Sequence, residues 1–287
     1  MISIIIPAYN EELSLESTIK EIKSTLKDNK KYKDYEIIVV NDGSTDSTRT
    51  IVLKNNVKLI DNLENMGYGY SIKKGIDASK YETIIIIDGD NTYPFNEVFK
   101  LLSKKEQGYD LVVGARTGKY YKESLIKSLL RRALKFIVEY VSGKKIKDIN
   151  SGFRVFDKST VKKYYNKLCN TFSFTTTQTL SYAMNYLTIC YVDISYRKRK
   201  DKSKIKIIRD SLISLRYILS SCIYYNPLKI FNLLSLICII FSIIGFICSH
   251  FLHINAGYIL GIGGLLLSIV VFSFGLLAVL LKQIMDK

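Results

Sequence analysis

The sequence predicts an α/β fold with a mainly parallel sheet, extended at its C-terminal end by amphipathic helices and two membrane-crossing helices. Three observations carry this. Short aliphatic runs alternate with segments of helical periodicity through the first 118 residues. Runs such as Thr83-Ile-Ile-Ile-Ile87 are apolar on both faces, as strands covered by helices on both sides must be. Finally, no Asp, Glu, Lys or Arg occurs between Ile230 and Leu281, which excludes a wholly soluble chain.

The elements follow in order. Met1-Ile2-Ser3-Ile4-Ile5-Ile6 has no basic segment and reaches Pro7 after a very short apolar run, so residues 2–7 read as a first strand and not as a targeting peptide. Asn10 then precedes a helical pattern of Leu13, Leu15, Ile19, Ile22 and Leu26, with Glu11 and Glu12 in the first turn, where the helix dipole favours acids. Residues 36–40 form a second strand ending at Asn41-Asp42-Gly43-Ser44. Residues 57–60 form a third, 67–79 a helix, 83–87 a buried strand and 111–113 another. Ligands of such sheets gather at the carboxyl ends of the strands. The polar clusters fall there: Pro7-Ala8-Tyr9-Asn10-Glu11, Asn41-Asp42-Gly43-Ser44 and Asp88-Gly89-Asp90.

Two amphipathic segments come next. In residues 125–141, within a helix expected over about 122–142, Ile126, Leu129, Leu130, Ala133, Ile137 and Tyr140 recur at helical spacing, with Lys127, Arg131, Lys135 and Glu139 on another face. In residues 205–222 the stripe is Ile205, Ile208, Leu212, Leu215 and Leu219, preceded by the basic run Arg197 to Lys206. Such helices lie among lipid headgroups or pack on a core; the second leads directly into a span. A bilayer crossing takes about 20 apolar residues, and Ile230–Ser249 and Gly257–Leu281 each supply them. Basic residues before the first span and Lys282 and Lys287 after the second place both termini on the cytoplasmic side of a cell membrane. The expected division is 1–204 for the catalytic domain, 205–226 for an interfacial helix and 227–287 for a two-helix tail. Nothing in the tail fixes whether copies pair into a homo-oligomer.

The formal charge of +16 raises nucleic acid as a partner, but its distribution argues against that. Residues 1–118 carry 16 basic and 18 acidic side chains, whereas windows 119–147 and 197–216 each carry nine basic and two acidic. The charge therefore reads as a membrane-surface footprint and a reception site for an anionic lipid. Five cysteines without CxxC spacing suit reduced structural thiols. The only histidines, His250 and His253, lie between the spans, so any chemistry elsewhere runs without histidine.

Asp88-Gly89-Asp90 sets two carboxylates one residue apart just past a buried strand. Such a pair can hold a divalent cation, Mg2+ or Mn2+, together with phosphate oxygens. Asp42 and Glu11 stand at two other strand ends. Asn65-Met66-Gly67-Tyr68-Gly69 is neither a dinucleotide fingerprint nor a P-loop. The combination points to a nucleotide-sugar donor.

Longer segments carry a resemblance. Ser3-Ile-Ile-Ile-Pro-Ala-Tyr-Asn-Glu11, Val39-Val-Asn-Asp-Gly-Ser-Thr-Asp46, Asn65 to Gly75, Ile87-Asp-Gly-Asp-Asn-Thr-Tyr-Pro94, Val112-Val-Gly-Ala-Arg116, Asp148-Ile-Asn-Ser-Gly-Phe-Arg154 and Arg199-Lys-Asp-Lys-Ser-Lys204 run through most of the part before the tail. Together they resemble the family 2 glycosyltransferases of GT-A fold, a Rossmann-like α/β architecture. Within that family they are similar to polyprenyl-phosphate sugar synthases of dolichol-phosphate mannose synthase type.

The resemblance implies roles. Pro7, Ala8, Tyr9, Glu11, Asp42, Gly43, Ser44, Asn65, Gly67, Asp88, Gly89, Arg199 and Lys204 would hold a UDP- or GDP-linked sugar. Asp88 and Asp90 would address the metal, and Asp90, Arg116 and Arg154 would serve catalysis. Arg116, Arg131, Arg132, Ser151 and Arg154 would receive an acceptor phosphate, Arg131 and Arg132 being open also to headgroup contact. Asp201 stands where the family usually has glycine, which bears on how tightly that loop turns.

A hydroxyl acceptor would need a general base. Where family members often place an acid, this chain reads Phe174-Thr-Thr-Thr-Gln178; an ionised polyprenyl phosphate needs none. The expected reaction is inverting transfer from a nucleotide sugar to a polyprenyl phosphate on the cytoplasmic leaflet. The alternatives are a lipid or glycan hydroxyl acceptor, for which Asp148 is the nearby candidate base, and a non-catalytic membrane scaffold with a degenerate transferase domain. Absence of Trp argues against processive polysaccharide synthases, which carry Q-x-x-R-W.

Overall fold

The computed structural model describes residues 1–27, 29–118, 125–199, 207–252 and 255–285. It divides into two compact units, Met1–Phe136 with Lys144–Ile218, and Ile137–Gly143 with Leu219–Lys287.

The first unit is built on a seven-stranded sheet. Its strands are β1 (Ile2–Ala8), β2 (Tyr35–Asp42), β3 (Lys58–Asn62), β4 (Thr83–Ile86), β5 (Leu111–Thr117), β6 (Arg154–Asp157) and β7 (Ile189–Ser195), in the order β3-β2-β1-β4-β6-β5-β7. The β1–β2, β2–β3, β1–β4 and β5–β7 pairs are parallel, while β6 runs antiparallel to both β4 and β5. The helices are α1 (Leu15–Lys27), α2 (Thr48–Lys54), α3 (Tyr68–Ala78), α4 (Val98–Glu106), α5 (Leu125–Ser142), α6 (Lys158–Lys162), α7 (Phe174–Met184) and α8 (Ile207–Tyr225), the end of α5 from Ile137 and the end of α8 from Leu219 being counted with the second unit.

Ile4 and Ile6 face one hydrophobic cluster, with Leu15, Ile19, Ile22, Val98 and Leu101; Ile5 faces the other, with Ile72, Ile76, Phe156 and Phe174. The two-residue alternation of a strand buried on both faces produces these two cores. Gly75 lets α3 close onto the sheet, since a Cβ there would lie 2.4 Å from Ile5 Cγ2.

The mainly parallel sheet and its strands stand where the aliphatic runs put them. Three points differ. The first helix begins at Leu15, not after Asn10. Asn10 sits at φ 53°, its N–H donates to Ser44 Oγ and its Oδ1 accepts from Thr45 N, so its side chain serves the β2 loop and not a helix N-terminus. Leu13 consequently leaves the buried stripe and is 62% exposed. The second strand is longer than expected because the chain stays extended through Asn41 and Asp42. Helices α2, α4, α6 and α7 and strands β6 and β7 were not legible: β6 has only Val155 and Phe156 between two charged residues, and α7 is buried on all sides despite its threonines.

The second unit contains two long apolar helices, α9 (Pro227–Leu252) and α10 (Asn255–Met285). Both have the length and hydropathy to cross a membrane. They form an antiparallel hairpin whose seam is built of small residues. Gly245 faces Gly257 and Gly261, Ser242 Oγ donates to Gly261 O, and Ser235 Oγ donates to Ser268 O at 3.0 Å. Close approach of backbones and hydroxyl–carbonyl bonds replace the hydrophobic drive that lipid surroundings do not supply. Phe241, Ile259, Leu260 and Ile269 point outward. At the charged end, Lys229 Nζ donates to Tyr140 O and Val141 O at 2.9 and 3.2 Å, and Lys282 Nζ to Tyr225 O at 2.8 Å. Each lysine thus satisfies carbonyls at the end of a neighbouring helix.

Candidate active site at the carboxyl ends of the strands

The loops after β1 and β2 are fused by hydrogen bonds. Glu11 N donates to Thr48 Oγ1 at 2.8 Å, Glu12 N to Asp46 Oδ2 at 3.2 Å, and Ser47 N to Glu12 Oε2 at 3.1 Å. Pro7 and Ala8 are buried under this network, while Tyr9, Gly43 and Ser44 border it half-buried. Gly43 is required by the backbone: its φ is +69°, and a Cβ would lie 2.5 Å from Glu64 C.

Asp42 braces the next loop. Its Oδ1 accepts from Asn62 Nδ2 at 2.7 Å and Met66 N at 3.0 Å, and its Oδ2 from Gly67 N at 2.9 Å. The carboxylate expected to meet a nucleotide therefore also shapes the Asn65–Gly67 turn. Asn65 stays exposed on that turn. The turn launches α3, whose first residue matters directly: Tyr68 Oη donates to Asp88 Oδ1 at 2.8 Å.

Asp88, Gly89 and Asp90 follow β4. Asp90 is 6% exposed; its Oδ1 accepts from Thr92 N and Thr92 Oγ1 at 3.1 and 2.6 Å, and its Oδ2 lies 3.5 Å from Arg199 Nε. Burial, and after it the charge of Asp90, pushes the Asp88 carboxyl above the usual carboxylate range. Two hard carboxylates that repel one another in a desolvated loop are the donor set a divalent cation relieves. Among the described residues no cluster of three or more His, Cys, Asp and Glu exists, so a cation here would draw its other ligands from substrate and water.

A strap crosses this loop. Beyond β7, Arg197 N donates to Thr92 O at 2.8 Å, and the Arg197 guanidinium makes two bonds to Glu21 at 2.6 and 2.9 Å and one to Asn91 Oδ1 at 3.0 Å. Arg199 follows, donating to Glu11 Oε1 at 3.0 Å. It thereby joins the carboxylates of two different strand ends. Lys204 and Asp201 lie outside the described residues.

Of the residues expected to receive an acceptor phosphate, Arg116, Ser151 and Arg154 are engaged within the fold. Arg116 is locked onto Asp148 by Nε···Oδ2 at 2.8 Å, Nη2···Oδ1 at 2.9 Å and its own N–H to Oδ2 at 3.2 Å. Its guanidinium also stacks 5.5 Å from the Tyr196 ring centroid. Burial alone would raise Asp148; the Arg116 bonds and charge outweigh it and hold the carboxyl below its usual range. Asp148 is therefore a fixed anion and a weak base.

Ser151 is fully buried, donating to Gly114 O at 2.6 Å, and Arg154 is fully buried with four partners. Neither presents a surface to a ligand, because each holds main-chain carbonyls of the 149–152 loop or its neighbours. Arg132 is exposed, and the Arg131 side chain lies outside the described residues.

Three contributors were not read from the sequence. Tyr68, at the start of the helix expected over 67–79, fixes Asp88. Thr92 fixes Asp90. Gly152 abuts Asp88, where a Cβ would lie 2.4 Å from Oδ1 and 2.6 Å from Oδ2. The signal for all three was their position inside the resembling segments. Gly152→Ala is expected to turn the Asp88 carboxylate away from Tyr68 and to lower turnover about tenfold or more. The thermal midpoint should fall by only a few degrees, because the obstructing neighbour is a side-chain end. Steady-state kinetics and a melting curve check both parts.

Residues 3–167 match the family model for glycosyl transferase family 2, which covers more than half of the chain and every strand end described above except that of β7. The chain is a family 2 glycosyltransferase.

The glycosyltransferase is 30% identical over 187 residues to a dolichyl-phosphate beta-glucosyltransferase of Dictyostelium discoideum, covering 58% of this chain and 57% of that one. It is 28% identical over 260 residues to an undecaprenyl-phosphate 4-deoxy-4-formamido-L-arabinose transferase of Yersinia enterocolitica, covering 85% and 73%. The match thus spans little more than half the length of the dolichyl-phosphate relative. Among solved structures, glucosyl-3-phosphoglycerate synthase of Mycobacterium tuberculosis, in complex with Mn2+, UDP-glucose and phosphoglyceric acid, superposes with a TM-score of 0.62 at 22% identity. The alignment covers 77% of the glycosyltransferase and 79% of that chain. At that identity the likeness establishes the GT-A fold alone.

Proposed function

We propose that this glycosyltransferase moves a sugar from a nucleoside-diphosphate sugar to a polyprenyl phosphate at the cytoplasmic face of a membrane. On this reading residues 1–204 are catalytic, 205–226 lie at the interface and 227–287 anchor the chain. The observation that carries it is the state of Asp148. The acid best placed to serve a hydroxyl acceptor is held ionised by Arg116 and is a poor base. An acceptor phosphate is already ionised and needs no base. Two relatives whose names specify dolichyl phosphate and undecaprenyl phosphate support the same choice.

The loops carrying Pro7–Glu11 and Asp42–Ser44 would bind the nucleoside, and the Asn65–Gly67 turn would close beside it. Asp88 and Asp90 would hold Mg2+ or Mn2+, a reading supported by two adjacent carboxylates sharing a buried loop. Such a cation, when bound, supplies Lewis-acid stabilisation to the diphosphate leaving group. Arg199, already shared between Glu11 and Asp90, stands where it can meet the same diphosphate. An acceptor-phosphate oxygen would attack the anomeric carbon as the bond to the diphosphate oxygen breaks. The electron pair leaves with the nucleoside diphosphate, and the configuration inverts.

The test is an assay with detergent-purified full chain, UDP- and GDP-sugars, polyprenyl phosphate and Mg2+ or Mn2+. Cation-dependent formation of a lipid-phosphate-linked sugar is expected. Donor hydrolysis alone, or product on a hydroxyl and none on phosphate, overturns the reading.

A further inference from the structure

Arg154 is completely buried, and no described carboxylate bonds to it; the carboxylate whose charge it feels, Asp148, is itself bonded to Arg116. Its Nε donates to Ser151 O at 2.7 Å, Nη2 to Ile149 O at 2.8 Å, and Nη1 to Thr179 Oγ1 at 2.9 Å and Gln178 Oε1 at 3.3 Å. All four partners are neutral, and no described carboxylate forms an ion pair with it. Buried charges are usually paired, because desolvation of an isolated one is expensive. Gln178 is itself fully buried. A glutamate would fit the same volume and neutralise the guanidinium, yet the chain carries an amide.

The sheet register shows where this charge acts. In the antiparallel β4–β6 pair, Arg154 stands opposite Ile86. Asp88 lies two residues beyond Ile86, so it projects on the same face. Continuing the register sets Gly152 opposite Asp88, in agreement with the contact between them. Tyr68 completes the group: it donates to Asp88, and Arg154 is among the charges it feels.

We propose that Arg154 is an electrostatic positioning residue. Its charge, bonded only to neutral partners, lies behind Asp88 and Tyr68 and raises the positive potential under the donor diphosphate, and Gln178 is the neutral partner that preserves that charge. This rests on the donor-site reading above. Arg154 touches no ligand; it favours accumulation of anionic oxygens above it, much as oriented fixed charges favour charge in any preorganised site.

The experiment compares wild type, Gln178→Glu and Gln178→Leu as full chains in detergent, measuring calorimetric binding of UDP and of GDP with Mn2+, melting and sugar-transfer kinetics. A unit charge added in a partly desolvated site changes the affinity of a nearby anion by roughly tenfold. Gln178→Glu is therefore expected to bind the better of the two nucleotides about tenfold more weakly, with a melting temperature no lower than wild type. Gln178→Leu keeps the charge and removes a hydrogen bond, so it is expected to melt lower and bind as wild type does. Unchanged binding and kinetics in a folded Gln178→Glu overturn the proposal, as does equal weakening in both variants, which would mark a packing effect. If Gln178→Glu does not fold, weakened binding by a folded Gln178→Leu overturns it and unchanged binding supports it. Failure of the wild type to bind either nucleotide would instead overturn the donor-site reading.

Discussion

Asp90→Asn is expected to lower turnover by about a thousandfold or more while leaving the protein folded. The scale follows from what a cation at a leaving diphosphate contributes to transition-state stabilisation. The substitution is informative because Asp90 has two separable tasks. Its Oδ1 accepts two bonds from Thr92, which an asparagine oxygen can also accept, so the Asp88–Asn91 turn should survive. Its Oδ2 faces Arg199 and carries the charge, which asparagine lacks. The expected result is a melting temperature within a few degrees of wild type, loss of nucleotide-dependent Mn2+ binding and loss of transfer. Normal turnover would refute the metal role. Loss of turnover with Mn2+ binding intact would move the role of Asp90 to its contact with Arg199.

Much of the site was legible because the chemistry sits where strands end. Aliphatic runs marked β1, β2 and β4, and the polar residues just past each run are the ones the structure gathers. Their roles were harder to read, because a role depends on partners distant in sequence. Asp42 is expected to hold the nucleotide, and what its own segment does not reveal is a second task, accepting two N–H bonds from the Asn65–Gly67 loop. Ser151 and Arg154 lie in a segment resembling an acceptor motif, but both are buried in the fold, and β6 offers only Val155 and Phe156 between two charged residues, which is too little apolar sequence to reveal a strand. Helix α7 gave no amphipathic signal, since its threonines bond to main-chain carbonyls, to Asn150 and to Arg154 inside the core. The tail was the opposite case: an uncharged stretch is a property of composition alone and needs no partner to be read.

The second large effect concerns stability. Asp148→Asn is expected to cost about 3–5 kcal/mol at pH 7, because it leaves the Arg116 guanidinium buried without its countercharge. The two side chains are only 11% and 2% exposed, so solvent screens the pair little. Arg116→Lys should cost less, since it keeps a charge near Asp148 and loses only the two-pronged geometry. The acid dependence gives the sign. Arg116 holds Asp148 below its usual range in the folded protein. Its contribution is therefore complete above the unfolded carboxyl value of about 3.9 and is lost as pH falls through the lower folded value. Wild type and Asp148→Asn should differ most in unfolding free energy near neutral pH and converge in acid. Guanidinium unfolding in detergent at several pH values measures that difference. A gap that stays constant from neutral pH down to about pH 3 would show that the lost stability comes from packing around residue 148 and not from its charge. The same variant separates the two roles open to Asp148. If it merely anchors Arg116, Arg116→Lys should impair transfer in parallel with Asp148→Asn. A transfer defect in Asp148→Asn alone, with a pH–rate profile that loses its acidic limb, would return Asp148 to the position of a base and favour a hydroxyl acceptor.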